Sequence, residues 1–174
     1  MLFRDDFRRL LRAGGLAVWV VVGLPVFAFQ LPRLSASRPT MALVAWAAAY
    51  LLFGAAFGLA TSRRRRPARE GGSLLLAAGQ SAAVIALVAL PPCFGLEGAL
   101  LVLVALQLGG RLPQRASFTW IAVQTALLFA TVWLHWDWHW AVVLTGAYLP
   151  FQIIASMTVR LLAEETAAMI WKGR

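Results

Sequence analysis

The chain has 174 residues, 61% of them hydrophobic and 13% charged, with a mean hydropathy of +0.75. Soluble domains run at about 45–50% apolar and 25% charged, so the composition excludes an ordinary soluble globular protein and reads as an integral membrane protein. The net charge of +9 does not point to nucleic acid, because the basic residues stand in groups at the edges of apolar runs, where topology signals belong, instead of covering one face.

Taken in order, residues 1–12 carry Arg4, Arg8, Arg9 and Arg12 with Leu2, Phe3, Phe7, Leu10 and Leu11 at helical spacing, the pattern of an interfacial amphipathic segment on the inner leaflet. A secretory signal peptide ending near Ser35-Ala36-Ser37 is the competing reading, but the apolar run Ala13 to Leu31 exceeds the usual core of about 7–15 residues. That run is the first expected span, with a kink at Pro25. Met41 to Thr61 is the second. The next stretch holds Arg63, Arg64, Arg65 and Arg66, and four arginines at mid-bilayer cost roughly 10 kcal/mol, so it must lie in water. Ser73 to Pro91 is the third span, stopped by Pro91-Pro92, since proline offers no backbone donor. Phe94 to Gly110 is a shorter fourth, Ala116 to Trp136 the fifth and Trp140 to Val159 the sixth. Each of the longer runs reaches the roughly 20 residues that cross about 30 Å of hydrocarbon.

With the N-terminus inside, fourteen of the sixteen basic residues fall on the cytoplasmic side, and only Arg33 and Arg38 lie outside. An odd number of spans destroys that sorting. The expected fold is therefore an all-α integral membrane protein, a six-transmembrane-helix bundle with both termini inside, in a bacterial inner membrane. Residues 1–12 form the interfacial segment, 13–159 the membrane domain and 160–174 a cytoplasmic helical exit segment. No internal repeat is visible, which weakens an inverted-repeat transporter.

Candidate sites are few. Glu97 is the only acid inside an apolar run; it is either a functional carboxylate at or beneath the outer interface, or a favourable first-turn acid at a helix start in headgroup water. Gln80, Gln124 and Gln152 fall near the middle of spans three, five and six, with Tyr50 and Tyr148 at similar depth. Unpaired amides are costly in hydrocarbon, so these residues are expected to face one another, as a polar lining for a ligand or as interhelical hydrogen bonds of about 0.6 kcal/mol each. In the segment Trp133 to Trp140, residues His135, Asp137 and His139 share a side only if the backbone is extended. That arrangement makes a weak zinc or copper candidate; the plainer reading is an aromatic belt at headgroup level. The lone Cys93 excludes an internal disulfide and any CxxC motif. Nothing resembles a nucleophile–base pair or a phosphate loop, so no enzyme activity and no cofactor are expected.

Two stretches, Phe94-Gly95-Leu96-Glu97-Gly98-Ala99-Leu100 running on to Gln107-Leu108, and Ala147-Tyr148-Leu149-Pro150-Phe151-Gln152, resemble the N-terminal membrane domain of bacterial sensor histidine kinases of the desaturase-regulating type, whose partners are response regulators of the NarL/LuxR-like class. Arg160, Glu164 and Glu165 match the family's basic-then-acidic exit. The likeness covers residues 73 to 165. It implies a membrane signal-input module that senses lipid state or a small ligand, with membrane lipids, a second copy through the C-terminal helix and a kinase core or response-regulator system as partners. Such kinases continue into a phosphoacceptor helix and an ATP-binding domain; here the only histidines, His135 and His139, are expected outside, so the chain reads as a detached sensor module or a truncated reading frame. A small permease or channel subunit is the alternative from another class, and a structural scaffold a third.

Overall fold

The computed structural model describes residues 2–34, 41–61, 70–91 and 93–172. Arg63, Arg64, Arg65 and Arg66, on which the sequence topology hangs, lie outside them. Six α-helices follow one another: α1 (Leu2–Leu34), α2 (Met41–Thr61), α3 (Glu70–Ala89), α4 (Leu100–Gly109), α5 (Gln114–His135) and α6 (Trp138–Lys172), with a 3₁₀ turn at Leu96–Ala99 before α4. There is no strand among the described residues. Among the described residues, four helices are long and apolar enough to cross a membrane, over Leu11–Phe29, Met41–Thr61, Gln114–His135 and Trp138–Met169, and two shorter apolar stretches occupy Leu74–Ala89 and Leu96–Gly109.

The pattern of exposure is inside-out relative to a soluble protein. Leu51, Leu52, Leu75, Leu134, Phe151 and Ile154 are exposed, while Gln80, Glu97, Gln124 and Gln152 are fully buried. Apolar surface on that scale is an aggregation hazard in water. In hydrocarbon it is the ordinary outer face of a helix bundle, and the polar groups turn inward to find partners.

The chain divides into two compact units, Met1–Leu100 and Leu101–Arg174. In the first, α2 packs against both α1 and α3, and the 3₁₀ turn rests on α3 and α1. Its core is aromatic: Trp46, Tyr50, Phe53 and Phe57 are the buried residues of α2. Glycines make room for them, since a Cβ at Gly15 would overlap the Phe57 ring and one at Gly54 would lie 2.6 Å from the Trp19 ring. In the second unit α5 lies along α6. The buried residues of α5, Ser117, Ile121, Gln124, Leu128 and Val132, recur every three or four positions; α6 buries its own stripe, Ala141, Thr145, Gln152, Ser156 and Val159, and the two helices touch at Gln124–Gln152 and Ser117–Ser156. This is the spacing of a coiled-coil-like seam between nearly antiparallel helices.

Residues 2–12 lie in one helix with the first apolar run: α1 runs without a break through Arg12 and Ala13, because a change from charged to apolar side chains alters what a helix touches and leaves its backbone hydrogen bonds intact. The fourth apolar run is not one helix, since it opens as a 3₁₀ turn before α4 begins. At the other end α6 continues past Val159 to Lys172. Pro150 lies inside it, tolerated as prolines are where neighbouring helices re-satisfy the freed backbone groups.

Candidate functional site

The first unit holds Glu97 in a tight turn, and the second holds a polar seam that leads to an exit helix.

The turn begins after Pro91. Gly95 adopts φ 83°, a left-handed conformation that glycine enters without steric cost, and this reverses the chain so that Glu97 folds back over its own start. Glu97 Oε1 accepts the Phe94 backbone N–H at 3.2 Å, and the Cys93 thiol donates to Oε2 at 3.4 Å. The Gly95 N–H in turn donates to the Cys93 sulfur at 3.4 Å. Glu97, in the first turn after Gly95, thus reaches back to the backbone that precedes the turn, and it is fully buried. Phe94 packs on Phe29 of α1, ring centres 6.1 Å apart, which holds the turn against the first helix. Burial pushes the Cys93 thiol up to about 12, and the neighbouring Glu97 carboxylate adds to the effect.

Tyr50 is bonded to α1. Its hydroxyl donates to the Trp19 carbonyl, while the Trp19 indole N–H donates to the Tyr50 carbonyl at 3.1 Å. The two rings stack at 4.6 Å, with Trp46 on the other side at 5.1 Å. Tyr50 therefore clamps α1 to α2. Gln80 is buried in α3 of this same unit.

In the second unit, the Gln124 amide N–H donates to the Gln152 side-chain oxygen, and Gln152 Nε2 approaches Thr125 Oγ1 at 3.5 Å. Further along the seam, Ser117 Oγ and Ser156 Oγ are 2.8 Å apart. Tyr148 is half-buried on α6, one turn before Gln152. At Gly109 the end of α4 reaches the α6 backbone: an added Cβ would lie 2.7 Å from Ser156 Cα. Beyond this point Arg160 donates through Nε to Glu164 Oε1 at 2.9 Å, and Glu165 is exposed. A shallow cavity of about 390 Å³ opens here, walled by Gly109, Gly110, Arg111, Leu112 and Pro113 on one side and by Arg160, Ala163, Glu164 and Ala167 on the other.

The tryptophan turn does not assemble a metal site. His135 ends α5 with its Nδ1 at 2.9 Å from the Thr131 carbonyl of its own helix, whereas His139 Nδ1 contacts Asp137 Oδ2 at 3.1 Å. No group of three or more metal-ligating side chains occurs among the described residues. The segment is helical on both sides of a two-residue turn, not extended, which is why the three side chains do not converge. The hydrogen bond from His139 holds the Asp137 carboxyl below its usual range.

The Ser117–Ser156 contact, the Cys93–Glu97 pair and the Gly109 crossing were not singled out from the sequence. The three-four spacing of Ser117, Ile121, Gln124, Leu128 and Val132 was present there and marks the seam. No protein-family model, curated protein or solved structure matches the chain.

Proposed function

We propose that the protein is a membrane-embedded signal-input module, with six spans and both termini on the cytoplasmic side of a bacterial inner membrane, and that α6 is its output element. The observation that carries this reading is the unbroken course of α6 over 35 residues, about 52 Å at 1.5 Å per residue, against a hydrocarbon thickness of about 30 Å. Its first two-thirds are tied to α5 by the Gln124–Gln152 and Ser117–Ser156 contacts. Its last third carries the Arg160–Glu164 pair and ends in good helix formers. A helix gripped at one end and continuous to the other passes on a change in packing. Two packings separated by a few kcal/mol are enough for a switch.

On this reading the stimulus is lipid state or a small ligand acting near Glu97 and the buried amides, the chain itself performs no catalysis, and the output goes to a second copy through the C-terminal helix or to a kinase core and response regulator. The test uses a spin label at Met169→Cys, with Cys93 replaced, in bilayers of 14- and 18-carbon phosphatidylcholine. A change in label spacing or mobility with thickness supports the module, and Glu97→Gln should blunt it. A label insensitive to thickness, combined with solute uptake by liposomes holding the pure protein, would transfer the assignment to a permease or channel subunit. Tags inserted in residues 62–72 check the topology, since access from the periplasm contradicts six spans with this orientation.

A further inference from the structure

We propose that the cavity between the α4–α5 turn and the start of the exit helix is a binding site for a phosphate group, presented by an anionic lipid at the membrane surface. The proposal rests on the membrane placement of α4 and α6 and holds whether the module signals or transports.

Three observations carry it. First, the cavity lies where two helices change character together. On α4 the last apolar buried residue is Leu108, followed by Gly109, Gly110 and Arg111; on α6 it is Val159, followed by Arg160. Arg111 and Arg160 border the same cavity, and the proposed six-span topology places its mouth at headgroup level. Second, the lining suits a phosphodiester with chains attached. Arg111 and Arg160 supply two guanidinium groups and Glu164 one opposing carboxylate, leaving an excess positive charge. Glu164 engages Arg160 through Nε, which orients the planar group while its terminal nitrogens remain able to donate, the fork geometry that favours Arg at phosphate sites. Third, the walls keep the space open. Ala163 and Ala167 follow Arg160 at helical spacing and present only methyl groups, Gly109 and Gly110 present none, and Leu112 with Pro113 offer an apolar edge. Because Gly109 sits directly on the Ser156 backbone, the floor is made of two helices that cannot slide inward to close it.

The experiment uses the purified full chain in mild detergent and native mass spectrometry with three probes: short-chain phosphatidylglycerol, phosphatidylcholine of the same chain length, and inorganic phosphate. Wild type is expected to retain phosphatidylglycerol in preference to phosphatidylcholine. Arg111→Gln and Arg160→Gln should each raise the Kd about fivefold, the scale of one basic residue's attraction to anionic headgroups. Ala167→Leu changes no charge and puts a strong helix former on an exposed face, so it should fold, as circular dichroism will show, yet raise the Kd at least as much by filling the space. Arg115→Gln, on the same end of the molecule but outside the cavity lining, should alter it less than twofold. Displacement of the lipid by millimolar inorganic phosphate supports the same chemistry with a water-borne anion as its source; resistance to displacement supports the lipid. An unchanged Kd in Ala167→Leu, or an Arg115→Gln effect equal to that of Arg160→Gln, overturns the proposal in favour of a diffuse attraction, as does the absence of phosphatidylglycerol binding to wild type.

Discussion

The two units solve the same problem, how to hold helices together where the hydrophobic effect gives no preference for neighbours over lipid, by different means. In the first unit the contacts between α1 and α2 run from side chain to backbone, with Trp19 and Tyr50 each bonding the other's carbonyl, and bulky rings fill positions left open by glycine. In the second, α5 and α6 are joined side chain to side chain, Gln124 to Gln152 and Ser117 to Ser156, and the glycine at 109 lets backbone meet backbone. Rings at the end of a rotatable bond can give way; backbone cannot. The first unit can therefore take up small displacements at its rings, and the second resists them at its backbone.

The sharpest way to break this contrast is Gly109→Ala. Its Cβ meets backbone atoms of Ser156, so α4 and α6 must separate, and a loss of about 2–3 kcal/mol is expected, the upper range for overpacking, read from unfolding in mixed SDS micelles. Next is Gln152→Leu, which removes the bond that the buried Gln124 amide makes to α6 and should cost about 2 kcal/mol. The double variant Gln124→Leu, Gln152→Leu removes both partners and should return to within about 0.6 kcal/mol of wild type. A double variant no better than the single one would mean that the amides do more than pair.

On the other side of the comparison, Gly54→Ala pushes on the Trp19 ring and should cost only about 1 kcal/mol. Gly58→Ala, with nothing within 4 Å, should be neutral or stabilise by up to about 1 kcal/mol through lower chain entropy. If Gly54→Ala proves as damaging as Gly109→Ala, the aromatic unit is as rigid as the seam.

Smaller effects belong to the turns. With its pKa near 12, Cys93 at pH 7.5 should react with N-ethylmaleimide about a thousandfold more slowly than a cysteine placed at exposed Leu134, because the thiolate is the nucleophile. Glu97→Gln should recover only part of that rate, since burial is the larger cause. Asp137 should titrate below its ordinary value of 3.8 and move back up toward it in His139→Ala, as followed by carboxyl NMR shifts. The sign follows from the lowered folded value: any support Asp137 lends the turn is present above 3.8 and is lost as pH falls through the lower value.

Where helices begin and end was largely readable from the sequence, and direction around a helix was not. The ends of α2 agree with Met41 and Thr61 because polar residues bracket an uninterrupted apolar run, and the continuation of α6 beyond Val159 follows from the helix-forming residues there. Tyr50 finds its partner in Trp19, a choice fixed by helix rotation that an almost uniformly apolar segment does not encode. Glu97 was visible as an acid in an apolar run, but its turn back toward Phe94 depends on the left-handed Gly95, and an isolated glycine in a sequence does not announce its dihedral angles. Gly109 shows the same limit, since it looks like one of many small residues until the crossing helix is known.

The length of α6 has a torsional consequence. Gln152, Ser156 and Val159 fix the azimuth of the helix at the seam, and with a stiff backbone this also fixes where Ala163 and Ala167 point further along. Inserting one residue between Val159 and Arg160 would lengthen the path by only about 1.5 Å but would turn everything beyond it by about 100°, carrying the cavity wall away from Arg111. Inserting seven would lengthen it by about 10 Å and restore the phase to within about 20°. What reaches the end of this helix from the seam is therefore angular phase, and it is preserved across a change in length only when the added residues complete nearly whole turns.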